Sequence, residues 1–118
     1  MTLLRLRSDI WVAAYLRTRL AEGVAAVLRR RGAAEAGAIF VKIDRLDGQA
    51  ALYGPAPQAA ALELEPGVER LFARVHRAEW IDSAEADKRL EREIDFDPDL
   101  WIIEVEDREG RPRLDLAR

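Results

Sequence analysis

The chain has 118 residues, 49% hydrophobic and 35% charged, with a formal net charge of −3 and no cysteine. That length suits one compact domain and is too short for two, the composition is globular rather than disordered, and disulfides and thiolate metal sites are excluded. No apolar stretch approaches the roughly 20 residues that cross a bilayer, and Met1 to Arg7 does not read as an export signal, so a cytoplasmic protein without membrane contact is expected.

Ser8 and Asp9 suit a helix start, and Arg29, Arg30 and Arg31 followed by Gly32 suit a helix end. The first helix is therefore predicted from Asp9 to Arg31. Placed at about 100° per residue, Val12, Ala13, Leu16, Leu20, Gly23, Val24, Val27 and Leu28 share one arc, which continues into a stripe of small residues, Ala14, Thr18, Ala21 and Ala25. So wide an apolar surface implies packing on two sides, by a sheet and by another helix or a second copy of the chain. Ala38 to Ile43 and Ala50 to Tyr53 flank Arg45-Leu46-Asp47-Gly48 and form a β-hairpin. Pro55, Pro57, Pro66 and Gly67 bound a loop over 55–67, in which Ala59 to Leu64 allow a short helical turn.

Arg70 to His76 alternates as a third strand, with Leu71, Ala73 and Val75 on one side, Arg70, Arg74 and His76 on the other, and Phe72 among the polar set. Asp82 and Glu85 resemble a capping box ahead of a second helix from Ser83 to Asp95, which buries Ala86, Leu90 and Ile94. Asp97-Pro98-Asp99 stops that helix, Leu100 to Glu106 is a core strand, Asp107-Arg108-Glu109-Gly110 reverses direction, and Arg113 to Leu116 is a last strand. The order α-β-β-β-α-β-β describes an α+β fold, an antiparallel sheet of four to five strands with two helices on one face.

The charges are unevenly distributed. Residues 1–45 hold nine Arg/Lys against four Asp/Glu, whereas residues 79–115 hold fourteen acids against six bases. Either the two poles face each other within the fold, or one is a docking surface. Asp95, Asp97, Asp99 and Glu106 have the spacing of a calcium loop, but Leu100 stands where glycine must turn the chain, and a strand carries Glu106 about 20 Å from Asp99. No metal and no cofactor are expected.

His76 is the only histidine and reads as solvent-facing on the polar side of its strand. Glu104 and Glu106 have outward parity and read as a solvated face. No catalytic residue is identified. Arg17 lies by angle beside Val24 and Leu28 on the apolar arc, either snorkelling to water or making an interface or anion contact. Tyr53-Gly54-Pro55-Ala56-Pro57 suggests a strand terminator or the lip of a ligand pocket. Arg29, Arg30 and Arg31, together with Arg70, Phe72 and Arg74, are the candidates for binding single-stranded RNA, with the aromatic ring stacking on bases. An acidic chain without a recognised reader motif makes nucleic acid an unlikely partner.

The segments Ser8-Asp9-Ile10-Trp11-Val12-Ala13-Ala14-Tyr15-Leu16-Arg17, Arg31-Gly32-Ala33-Ala34-Glu35-Ala36-Gly37-Ala38-Ile39-Phe40-Val41-Lys42, Leu52-Tyr53-Gly54-Pro55-Ala56-Pro57 and Phe96-Asp97-Pro98-Asp99-Leu100-Trp101, in that order, resemble an uncharacterised alphaproteobacterial family, domain of unknown function 1491. The resemblance implies a bacterial cytoplasmic protein and brings no activity, cofactor or catalytic residue with it. The functional expectation is a non-enzymatic interaction module, a homodimer or the partner of an unidentified protein. Its contact residues would be Arg17, Ala14, Thr18, Ala21, Ala25 and Tyr53. A nucleic-acid binder and a small-ligand binder or enzyme are the alternatives.

Overall fold

Gly23, not Gly32, ends the first helix. Its φ of 76° is left-handed, which glycine adopts without a Cβ penalty, and the Val24 N–H closes back on the Arg19 carbonyl at 2.9 Å. In the computed structural model, which describes residues 6–57 and 70–117, the elements are α1 (Ser8–Ala21), β1 (Ala26–Arg30), β2 (Ile39–Asp44), β3 (Gln49–Pro55), β4 (Phe72–Arg74), β5 (Ile81–Asp82), α2 (Ser83–Phe96) and β6 (Trp101–Glu106).

The predicted Asp9-to-Arg31 helix is thus a helix, a turn and a strand. Val24 to Leu28 can be read with either period, and pairing with β6 selects the strand. Gly32 serves a different purpose: a Cβ there would stand 2.2 Å from the Asp99 carbonyl oxygen, so the glycine lets two backbones touch.

The fold is α+β, as expected, but the sheet is mixed. Its order is β1-β6-β2-β3-β4, with β5 also pairing with β3; β2 and β6 run parallel, and the other pairs are antiparallel. The hairpin joining β2 to β3 forms as predicted, with Leu46 and Gly48 at positive φ in its turn. The turn ending at Gly110 also forms, with its φ at 72°. The predicted last strand does not pair with β6, whose two edges are taken by β1 and β2. The chain instead crosses to β4, where Asp115 and Ala117 bond the backbone of Phe72 and Leu116 forms a bridge to it.

The helices lie on opposite faces of the sheet rather than on one. Ile39, Val41 and Ile43 of β2, with Trp101, Ile103 and Val105 of β6, meet Val12 and Tyr15 of α1. The alternate residues Phe40 and Ile102 join Leu52 and Leu100 against Leu90 and Ile94 of α2. A central strand apolar at successive positions fills both faces. Of the set predicted to face water around β4, Arg70, Phe72 and His76 are buried and Arg74 is exposed, while Val75, predicted inward, is 40% exposed; Phe72 packs at a tilt on Trp11, 5.2 Å between ring centroids. The one large ring sets the parity. The loop predicted over 59–64 lies outside the described residues. Asp82 precedes α2 without capping it through its side chain and accepts from Gln49 Nε2 instead.

Candidate functional site

Lys42 is the one basic residue of β2, and parallel pairing sets it beside Glu104 of β6. Only 3% of its side chain is exposed, so its ammonium needs a partner. Asp87, on the inner side of α2, supplies one at 2.9 Å, and Glu104 and Asp44 stand further off at 3.9 and 4.0 Å. Arg29, at the irregularity between Leu28 and Arg30 in β1, bridges Asp87 at 2.9 Å and Glu104 at 2.8 Å. Ser83 donates to Asp44.

Burial works against ionisation of Asp87, but hydrogen bonds from Arg29 and Lys42 outweigh it and hold its carboxyl below the usual range. The hydrogen bond to Asp87 likewise raises Arg29. The two poles of the charge distribution therefore meet inside the fold, Arg29 and Lys42 from the basic stretch against Asp87 and Glu104 from the acidic one. Chemically, this cluster ties α2 to the sheet. Glu104, expected on a solvated face, is half-buried within it. The signal in the sequence was a single lysine among the apolar residues Ile39, Phe40, Val41 and Ile43.

A second cluster fastens residues 107–113 to the end of α1. The Arg19 guanidinium is buried, lies 4.6 Å from the centre of the Tyr15 ring, pairs with Glu22 at 2.7 Å and donates to the Arg113 carbonyl. Tyr15 donates to the Pro112 carbonyl. Asp107, almost fully buried, accepts from Arg113, from Arg111 and from the Glu109 N–H, which together overcome its burial and lower its pKa.

Arg19, not Arg17, is the arginine on the inward side of α1. Val24 and Leu28, which drew Arg17 onto the apolar arc, do not belong to the helix; the buried positions Ser8, Val12, Tyr15 and Arg19 turn Arg17 outward, exposed and without an ion pair among the described residues. Ala14, Thr18 and Ala21 are exposed beside it, uncovered by any described element, and Ala25 lies beyond the helix, also exposed. Tyr53 is buried on the sheet face beneath α1, which raises its pKa, whereas Arg17 is on the outer, exposed side of that helix. A shallow cleft lined by Ile39, Pro55, Arg70, Leu71 and Phe72 lies at that end of β3.

Of the nucleic-acid candidates, Arg29 is paired with acids, Arg30 donates to the Pro98 carbonyl and Arg31 lies over the Trp101 ring at 5.5 Å. Arg70 is buried and donates to Ser8 Oγ and the Leu6 carbonyl, Phe72 is 2% exposed and unavailable for stacking, and Arg74 is exposed. No group of three or more metal-ligating side chains occurs among the described residues. No helix among them is long and apolar enough to cross a membrane. Among the described residues, the most exposed large apolar side chains are Phe96 at the end of α2, 93% exposed, and Leu20 of α1, 64% exposed.

Residues 6–115 match the family described as "Protein of unknown function (DUF1491)". No curated protein matches the chain. Among solved structures, the crystal structure of a DUF1491 family protein from Caulobacter crescentus CB15 is similar at 33% identity and a TM-score of 0.75, over 98% of this chain and 100% of that one. An NMR structure of a DUF1491 family protein from the same organism gives 34% identity and a TM-score of 0.74 with the same coverage. The solution structure of protein Atu0922 from A. tumefaciens gives 40% identity and a TM-score of 0.70, over 87% of this chain and 86% of that one. With a match that runs from just before α1 to Asp115, where the chain joins β4, this chain belongs to the DUF1491 family.

Proposed function

We propose that this chain is a small, single-domain, non-enzymatic interaction module of the cytoplasm that associates with a second copy of itself through the outer face of α1. The observation carrying this reading is the uncovered surface of that helix. Ile10 and Leu20, 49% and 64% exposed, flank the exposed Ala14, Arg17 and Ala21.

Apolar area removed from water contributes about 25 cal/mol per Å². Small residues let two helix backbones approach closely, and one patch meeting itself across a two-fold axis needs no second partner. The free edge of β1 competes less well as an interface. Its register breaks between Leu28 and Arg30, and Arg29 to Arg31 crowd it with charge, both of which oppose strand addition.

Sedimentation equilibrium over a wide range of protein concentration tests the reading. The expected outcome is a reversible dimer that Ala14→Arg and Leu20→Glu both weaken. A wild-type chain that stays strictly monomeric at the highest concentration overturns it.

A further inference from the structure

Between β4 and β5 the chain leaves the edge of β3. Arg74 pairs with Tyr53, and Ile81 pairs with Ala50, so residues 75–80 bulge away while Leu52 faces the gap. The Leu52 carbonyl accepts from the Val75 N–H at 3.0 Å. Its N–H meets no strand carbonyl and donates instead to Nε2 of His76, also at 3.0 Å. Because Nε2 accepts, the ring proton sits on Nδ1, which donates to the Ala78 carbonyl at 2.7 Å. One neutral imidazole thus completes a sheet ladder on one side and closes its own loop on the other. Leu52 is fully buried and His76 only 9% exposed, so the Leu52 N–H has no water to turn to.

The charged groups acting on the ring are both cations. Arg74 of β4 donates from Nε to the His76 carbonyl at 3.3 Å, and Arg89 of α2 is paired with Glu85 at 3.3 Å. Burial disfavours the imidazolium, the Ala78 carbonyl partly restores it, and Arg74 and Arg89 oppose it again, so the ring titrates below the ordinary histidine value.

We propose that residues 75–80 form a latch on the edge of β3 that is released by a proton: protonated at Nε2, His76 can no longer accept from Leu52, and the segment swings off the sheet edge. A second ring proton would set N–H against N–H at a buried position. The closed ring binds its proton more weakly than the open one, so the latch is fully held above the ordinary histidine pKa of about 6.5 and loosens as pH falls through and below it. What opens is a backbone donor and acceptor on Leu52, the groups an added strand would use.

The test is NMR on the full-length, 15N-labelled chain between pH 7.5 and 5. The His76 ring is expected as the Nδ1–H tautomer at the upper limit. Below the release point, Leu52 amide protection, corrected for intrinsic exchange, should fall about tenfold per pH unit. Val41 and Ile103 in the β2–β6 ladder should keep theirs. His76→Gln retains an acceptor and does not titrate, so its Leu52 protection should be flat with pH. Leu52 protection that stays constant while the wild-type ring titrates, or a proton found on Nε2 at pH 7.5, overturns the proposal; the wild-type measurements decide it even if the variant does not fold.

Discussion

The two faces of the sheet are held by different physics. Under α1 the contact is aromatic and apolar: Trp11 stacks on Tyr15 at 5.0 Å and tilts on Phe72, above Ile39, Val41, Ile43, Ile103 and Trp101. Under α2 the apolar patch is smaller, built on Phe40, Leu52, Leu90, Leu100 and Ile102, and beside it stand Lys42, Asp87, Glu104 and Arg29. Charge acts at both helices but on different neighbours: Arg19 with Glu22 ties the end of α1 to residues 107–113, whereas the Lys42 and Asp87 cluster ties α2 to the sheet itself. The difference teaches where each helix is vulnerable: α1 to lost packing, α2 to a lost partner.

Trp101→Ala should break the first face most severely. Trp101 is 1% exposed, and its Nε1 donates to the Ala33 carbonyl at 2.8 Å, so truncation leaves a large void and leaves that carbonyl with the Gly37 N–H as its donor. Denaturant unfolding should report a loss of about 3–5 kcal/mol. A loss below about 1 kcal/mol would mean that this face can collapse around the void.

On the second face, Asp87→Ala removes the near partner of Lys42 and leaves carboxylates only at 3.9 and 4.0 Å. Asp87 is 41% exposed, so the cost should be about 2 kcal/mol rather than the full penalty of a buried pair. Lys42→Met, which removes the charge that needs compensation, should be close to neutral. The pH dependence has a definite sign. The folded carboxyl of Asp87 titrates below its ordinary value, so its contribution is whole above the usual carboxylate pKa of about 3.9 and is lost as pH falls through the lower folded value. Asp87→Ala should therefore lose less stability than wild type between pH 5 and pH 2.

Most elements of the β2-to-β6 region were legible because their apolar periods and turn residues agree. The hairpin, α2, β6 and the turn at Gly110 all lie within a residue or two of their predicted bounds. The stretch after Ala21 was illegible because a 3.6-residue period and an alternating strand both accommodate Val24, Val27 and Leu28; only pairing with β6 decides between them. The misreading spread to the side chains. A helix extended to Arg31 turns Arg17 inward, whereas the real one turns Arg19 inward. The charge cluster was only half legible, since a lone lysine marks a buried position without naming Asp87, 45 residues away. His76 was hidden because ordinary strand alternation gives no sign of a ring that replaces a ladder carbonyl.

The smallest effect on stability is the most informative about function. Arg17 is exposed and makes no ion pair among the described residues, so Arg17→Leu should move the unfolding free energy by no more than about 0.5 kcal/mol. On the outer face of α1 the same change extends the apolar surface formed by Ile10, Leu20 and the alanines. If that face meets a second copy, sedimentation should show tighter association at unchanged fold stability. Association that does not change would place the contact elsewhere, while a large loss of stability would mean that Arg17 is engaged inside the fold after all.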